Sequence, residues 1–167
     1  MLEEQREVGA VLARLSHTMT NPSVPWLRDN RVPAVVAAVI DNDLPAIRVL
    51  LQFENGSAYP VDECFGIDGL NALHVAARDG CEICMVILLS FGASACVLNS
   101  RGRSAAWLAA GAGQASCLLL LLDAGCDQEG RSSGVLKTMS LTDSEGRSPA
   151  LVAATYGRTD CIRLLIE

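Results

Sequence analysis

Along most of this chain the apolar positions fall in short helical runs, divided by glycines and polar turns rather than by long loops. Residues 2–19 carry an apolar stripe of Leu2, Val8, Val11, Leu12, Leu15 and Met19, while Glu3, Glu4, Arg6, Glu7 and Arg14 lie off it. This spacing predicts an amphipathic helix, ended by Asn21-Pro22-Ser23-Val24-Pro25. Further on the runs become apolar nearly all round: Ile83–Ser100 is 18 residues without a charge and Ser104–Leu122 is 19. About 18 or more apolar residues are long enough to span a bilayer. Only Arg101-Gly102-Arg103 separates the two stretches, however, and each holds a turn glycine, Gly92 or Gly113. They therefore predict pairs of short helices sandwiched between neighbours, a setting that favours apolar residues most of the way round.

The runs also repeat. Asp68-Gly69-Leu70-Asn71-Ala72-Leu73-His74-Val75-Ala76-Ala77, with Gly80 behind it, is answered by Arg101-Gly102-Arg103-Ser104-Ala105-Ala106-Trp107-Leu108-Ala109-Ala110, with Gly113 in phase. Gly69 to Gly102, Ala76 to Ala109, Gly80 to Gly113 and Leu89 to Leu122 are each spaced by 33 residues. Glu145-Gly146-Arg147-Ser148-Pro149-Ala150-Leu151-Val152-Ala153-Ala154 opens a further copy, 44 residues after its predecessor, which is one period plus an insertion of 11. Pro33-Ala34-Val35-Val36-Ala37-Ala38 and Leu50-Leu51 echo the pattern loosely, with Asp41-Asn42-Asp43 at the glycine turn. A fixed period of this length signals stacked units that bury one continuous core. Each unit predicts a turn, a short helix, a glycine turn and a longer helix, with the paired alanines allowing close helix approach.

These positions resemble the ankyrin repeat, whose hallmark is a Thr-Pro-Leu-His-x-Ala-type phrase in a 33-residue unit. Asn71-Ala72-Leu73-His74-Val75-Ala76 is the nearest phrase; Pro149 restores the proline, while Trp107 and Leu151 stand at the histidine position. The resemblance implies an all-α solenoid of helix-turn-helix units with short hairpin tips. It divides the chain into an N-terminal capping helix and linker (1–30) and units at about 31–65, 66–98, 99–142 and 143–167, the first and last atypical. Extra residues fall at Phe53–Pro60 and near 128–138. Insertions in solenoids map to loops on one face, often the binding face, and are equally well tolerated as surface excursions.

Composition narrows the function. A net charge of −6 and a pI near 4.9 argue against nucleic acid and anionic membranes as partners. Met1-Leu2-Glu3-Glu4 has no basic or apolar leader character, which predicts an intracellular protein, in cytoplasm or nucleus. Its seven cysteines are then expected as reduced thiols. Cys81-Glu82-Ile83-Cys84 lacks the second ligand pair of a zinc site. Cys84, Cys117 and Cys161 share one repeat position, which predicts packing as small hydrophobes. With two histidines in all, no credible His/Cys or Ser/His/Asp set can be assembled. No catalytic residue, cofactor or metal is expected.

The resemblance also implies a concave groove and tips that include Ile67, Asp68, Leu70, Arg78, Asp79, Ser100, Arg101, Arg103, Ser144, Glu145, Arg147, Thr155 and Tyr156. Leu70, Arg78, Asp79, Arg101, Arg103, Glu145, Arg147 and Tyr156 are the candidate partner-binding residues. Arg101, Arg103 and Arg147 suit an acidic or phosphorylated segment, because the guanidinium fork grips such groups bidentately. Rim charges act mainly on association rate and salt dependence. Changing all three to glutamate should therefore slow association and leave melting nearly unchanged. The alternative for these arginines is a solvated rim partly neutralised by Asp68, Asp79 and Glu145. The expected function is a non-catalytic interaction module or scaffold. The alternative is a regulatory or targeting segment of a larger enzyme or channel. The last copy lacks a closing glycine after Leu164-Leu165-Ile166, which suits either a fragment of a longer protein or an end that a partner covers. Bare Cys161, Ile162, Leu164 and Leu165 are there expected to promote self-association.

Overall fold

A computed structural model describes residues 2–19, 33–52, 61–125 and 138–166. The inserted residues 53–60, most of the 128–138 insertion and the linker after residue 19 lie outside the described residues. The helices are α1 (Leu2–Met19), α2 (Ala34–Ile40), α3 (Leu44–Gln52), α4 (Ala72–Asp79), α5 (Glu82–Ser90), α6 (Ala105–Ala112), α7 (Ala115–Ala124), α8 (Pro149–Thr155) and α9 (Thr159–Ile166). Among the described residues β structure is confined to two isolated antiparallel bridges, Phe65 with Leu70 and Leu98 with Ser104. No described helix is long and apolar enough to cross a membrane, because each uncharged stretch is cut into short helices at its turns.

The helices form two stacked layers. In the inner layer α2, α4, α6 and α8 contact one another in sequence; in the outer layer α3, α5, α7 and α9 do the same, and each inner helix also contacts its outer partner. α1 packs on α2 and α3, burying Val11 and Leu15. Arg14 of α1 adds an ion pair of 2.8 Å to Asp43.

Local chemistry sets where each inner helix starts and stops. Asn71, Ser104 and Ser148 occupy the residue before α4, α6 and α8, and each side chain accepts the backbone N–H three residues on. Such caps satisfy donors that the first turn leaves unpaired. At the other end Gly80 and Gly113 adopt φ of +79° and +85°, a region L side chains rarely enter. A Cβ on Gly80 would fall 2.6 Å from Gln114, and one on Gly113 would fall 2.8 Å from Arg158. The turn's backbone thus demands these glycines, and side chains of the next unit pack over them. In the first unit Asn42 takes this role with φ of +53°, a conformation Asn tolerates better than most residues.

Close stacking explains the alanines. Ala76, Ala77, Ala109, Ala110 and Ala153 are fully buried between inner helices. Ala154 is exposed, because α8 has no further inner helix against its outer side among the described residues. We expect Ala109→Leu to destabilise the fold by about 1–3 kcal/mol through overpacking between α4 and α8. Urea melts would read this as a lower midpoint at unchanged slope; an unaltered midpoint would mean that the helices do not approach closely there.

The cysteines give one confirmation and one correction. Cys84, Cys117 and Cys161 are all buried at equivalent outer-helix positions. Burial pushes the Cys117 thiol up to about 11, with Glu82 adding to the rise. The expectation of reduced thiols throughout does not hold: Cys81 and Cys84 form a disulfide across the first turn of α5, and Cys96 is also disulfide-bonded. Residues three apart on a helix are neighbours, and the 5.3 Å between their α-carbons suits a bridge.

A second correction concerns the last unit. Cys161 and Leu165 are buried, and Ile162 and Leu164 are half-buried, because α7 and α8 cover that face of α9. Among the described residues of this unit the exposed large apolar side chains are Leu151 (52% exposed), Tyr156 (58%) and Ile166 (76%).

Candidate functional site

Ahead of α4, α6 and α8 the chain makes tight reversals whose tips line up along one edge of the stack. In the first, Phe65 and Leu70 exchange backbone hydrogen bonds of 2.7 and 3.1 Å around Gly66 and Gly69. In the second, Asn99 N–H donates to Arg103 C=O, and Asn99 Oδ1 accepts the N–H groups of Arg101 and Arg103, both at 2.9 Å. Asp143 builds the third tip in the same way, its Oδ1 accepting from Glu145 and Arg147 at 3.0 and 2.9 Å. Neighbouring tips are joined by Ser100 N–H to Asp68 C=O and by Ser144 N–H to Arg101 C=O. The tips therefore form a continuous, hydrogen-bonded strip beside the inner helices.

Two ring side chains tie α4 and α6 each to the tip that follows. His74 is buried; its Nδ1 accepts the Asn71 N–H, so the proton sits on Nε2, which donates to Arg103 C=O at 3.2 Å. Burial pushes the imidazole pKa down to about 4, against the Arg103 and Val97 carbonyls, which favour the protonated ring. Trp107 stands one unit later and does the same work: its indole Nε1–H donates to Arg147 C=O at 3.1 Å.

The candidate residues divide into two groups. Leu70, Arg78, Arg101 and Arg103 come together, with Asp68, Asn99 and Leu108, around a shallow cleft of about 170 Å3 between the first two tips. Asp79 lies beside it, bonded to Arg78 at 2.7 Å. Glu145, Arg147 and Tyr156 do not line this cleft. Arg101 is 58% exposed and pairs with Asp68 at 3.0 Å. Arg103 is mostly covered, lying 4.1 Å above the Trp107 ring with its Nε buried, without a hydrogen-bond partner and 3.7 Å from Asp143.

Arg147 is engaged by its own tip. Its guanidinium makes two bonds to Asp143 Oδ2, at 2.9 and 2.8 Å, and reaches Glu145 at 3.1 Å. Burial pushes the Asp143 carboxyl up, but the Arg147 fork and the Arg147 and Glu145 backbone N–H groups outweigh it and hold it below the usual carboxylate range. Arg147→Glu would place a second carboxylate against a covered one, so this arginine, unlike a solvated rim charge, is expected to lower the melting midpoint when reversed. Four arginines (78, 101, 103, 147) face four acids (68, 79, 143, 145) along the strip, so it carries no large excess of positive charge.

Sequence reasoning missed Asn99, Asp143 and the structural use of Trp107. Asn99 and Asp143 stand three residues before their tip glycines, where a short polar side chain that bonds its own backbone two residues on was the available signal.

Comparison with known families supports the repeat assignment independently of the geometry. A family model described as ankyrin repeats (3 copies) matches residues 34–132. The pair α8 and α9 lies beyond the matched stretch and repeats its capping serine, its tip geometry and its buried cysteine.

Proposed function

Because the chain belongs to the ankyrin-repeat family, whose members are generally protein–protein interaction modules, we propose that it is a non-catalytic module that docks another protein on its concave face. The single observation that carries this reading is the convergence of Leu70, Arg78, Arg101 and Arg103 on one cleft beside the inner helices. A partner there meets a rigid, preformed surface, which lowers the ordering cost of association. An acidic segment suits the arginines. His74 has both ring nitrogens bonded, and the buried Cys117 thiol is a poor acid, its pKa pushed up to about 11. Exposed Leu151 and Ile166 mark a second surface, at the far end of the stack, suited to self-association.

The test compares faces, using a partner captured with the whole chain. Arg78→Ala with Tyr156→Ala should weaken binding at least ~10-fold, about 1.4 kcal/mol. Val86→Glu with Leu119→Glu, on the exposed sides of α5 and α7, should leave binding unaltered. The reverse pattern would place recognition on the outer helices and overturn the proposal.

A further inference from the structure

The cleft between the first two tips has a chemistry more particular than attraction to acids in general. Its walls hold three arginines, Arg78, Arg101 and Arg103, against a single aspartate, Asp68. Its apolar part is Leu70, largely buried, and Leu108, half-buried. Resting on the concave-face reading above, we propose that this cleft is a carboxylate subsite that takes one glutamate side chain of the docked protein. Its methylenes lie on Leu70 and Leu108, and its carboxylate sits between Arg101 and Arg103.

Arg103 is set in place before a ligand arrives. Trp107 holds its guanidinium by a contact of 4.1 Å, and Asp143 lies 3.7 Å from its Nε. A buried donor without an acceptor costs about 1–3 kcal/mol. Stacking on an aromatic face and attraction to a nearby carboxylate are the two contacts that offset this cost. Fixing the side chain in this way removes rotamer entropy that binding would otherwise have to cover. Arg101 is different: it is exposed and paired to Asp68, so it can exchange one carboxylate for another.

This arrangement selects a carboxylate over a phosphate. A phosphoryl group carries about −1.5 to −2 charge at neutral pH, and it would meet Asp68 in the same wall. The strip around the cleft is charge-balanced, with Asp79, Asp143 and Glu145 facing Arg78 and Arg147. There is no spare positive field to hold a dianion. A monoanion with an aliphatic stem matches both the local pair of arginines and the leucines. Recognition here is short-range, so salt should weaken binding modestly rather than abolish it.

The experiment uses the whole chain labelled with 15N, followed through the Trp107 indole and arginine Nε–H signals. The probes are N-acetylglutamate α-amide, its glutamine counterpart and inorganic phosphate. The glutamate probe should produce saturable shifts at Arg101, Arg103 and Trp107, with a dissociation constant on the order of millimolar. The glutamine probe should produce none, and phosphate should bind several-fold more weakly. Arg101→Gln, at an exposed position, should weaken the glutamate probe several-fold while leaving the spectrum folded. Equal response to glutamine, tighter binding of phosphate, no saturable shift, or full binding by Arg101→Gln would each overturn the subsite. If the subsite fails while Arg78→Ala with Tyr156→Ala still releases the captured partner, only the carboxylate assignment falls. If that pair has no effect, the concave-face reading falls with it.

Discussion

Replacing Trp107 with alanine should lower the free energy of unfolding by about 3–5 kcal/mol, the usual cost of deleting a buried tryptophan side chain. Three losses combine at this residue. The ring is buried between the third and fourth units, its N–H bond to Arg147 C=O disappears, and Arg103 loses the surface it lies on. Trp107→His separates these terms. Histidine holds the equivalent place one unit earlier, where His74 donates from Nε2 to Arg103 C=O. It should restore the inter-unit hydrogen bond without restoring the full ring volume, and so fall between alanine and the parent in urea melts. A histidine variant no more stable than the alanine variant would show that volume alone matters and that the N–H bond contributes nothing.

The stability of the fold should decline as pH falls from about 7 to 4, and His74 should account for much of the decline. Its folded pKa is about 4 against an ordinary 6.5. The unfolded chain therefore takes up a proton below 6.5 that the folded chain refuses until about 4. Stability is fully present above the unfolded value, is lost progressively through this window, and loses nothing further from this group below it. At 1.36 kcal/mol per pKa unit the shift corresponds to about 3 kcal/mol across the window. The cause is burial: the charged ring would lose its hydration in a site closed to water, and the Arg103 and Val97 carbonyls offset only part of that loss. His74→Gln should be less stable at pH 7 and markedly flatter between pH 7 and 5. Parallel pH profiles for the two proteins would show that the ring is not held neutral.

The sequence by itself determined the units. The 33-residue spacing of Gly69 and Gly102, of Ala76 and Ala109 and of Leu89 and Leu122 suffices, because each unit forms one helical pair and contacts only its neighbours. Burial of Cys84, Cys117 and Cys161 was legible for the same reason: one repeat position is one environment. The candidate site was legible only in part. That Arg101, Arg103 and Arg147 sit near tip glycines is written in the chain, but what each side chain meets is not. Arg101 faces Asp68 from the preceding tip, Arg103 lies on the ring of its own unit beside Asp143 of the next, and Arg147 turns back on Asp143 and Glu145. These choices depend on distances between units that are 33 or 44 residues apart in sequence, and a period does not encode them. The same holds for Trp107, which departs from the phrase at the histidine position yet keeps its hydrogen bond. Only tertiary structure decided that an indole N–H could reach the carbonyl an imidazole N–H reaches elsewhere. A hydrogen bond is fixed by where the donor points, and the identity of the ring that carries it is secondary.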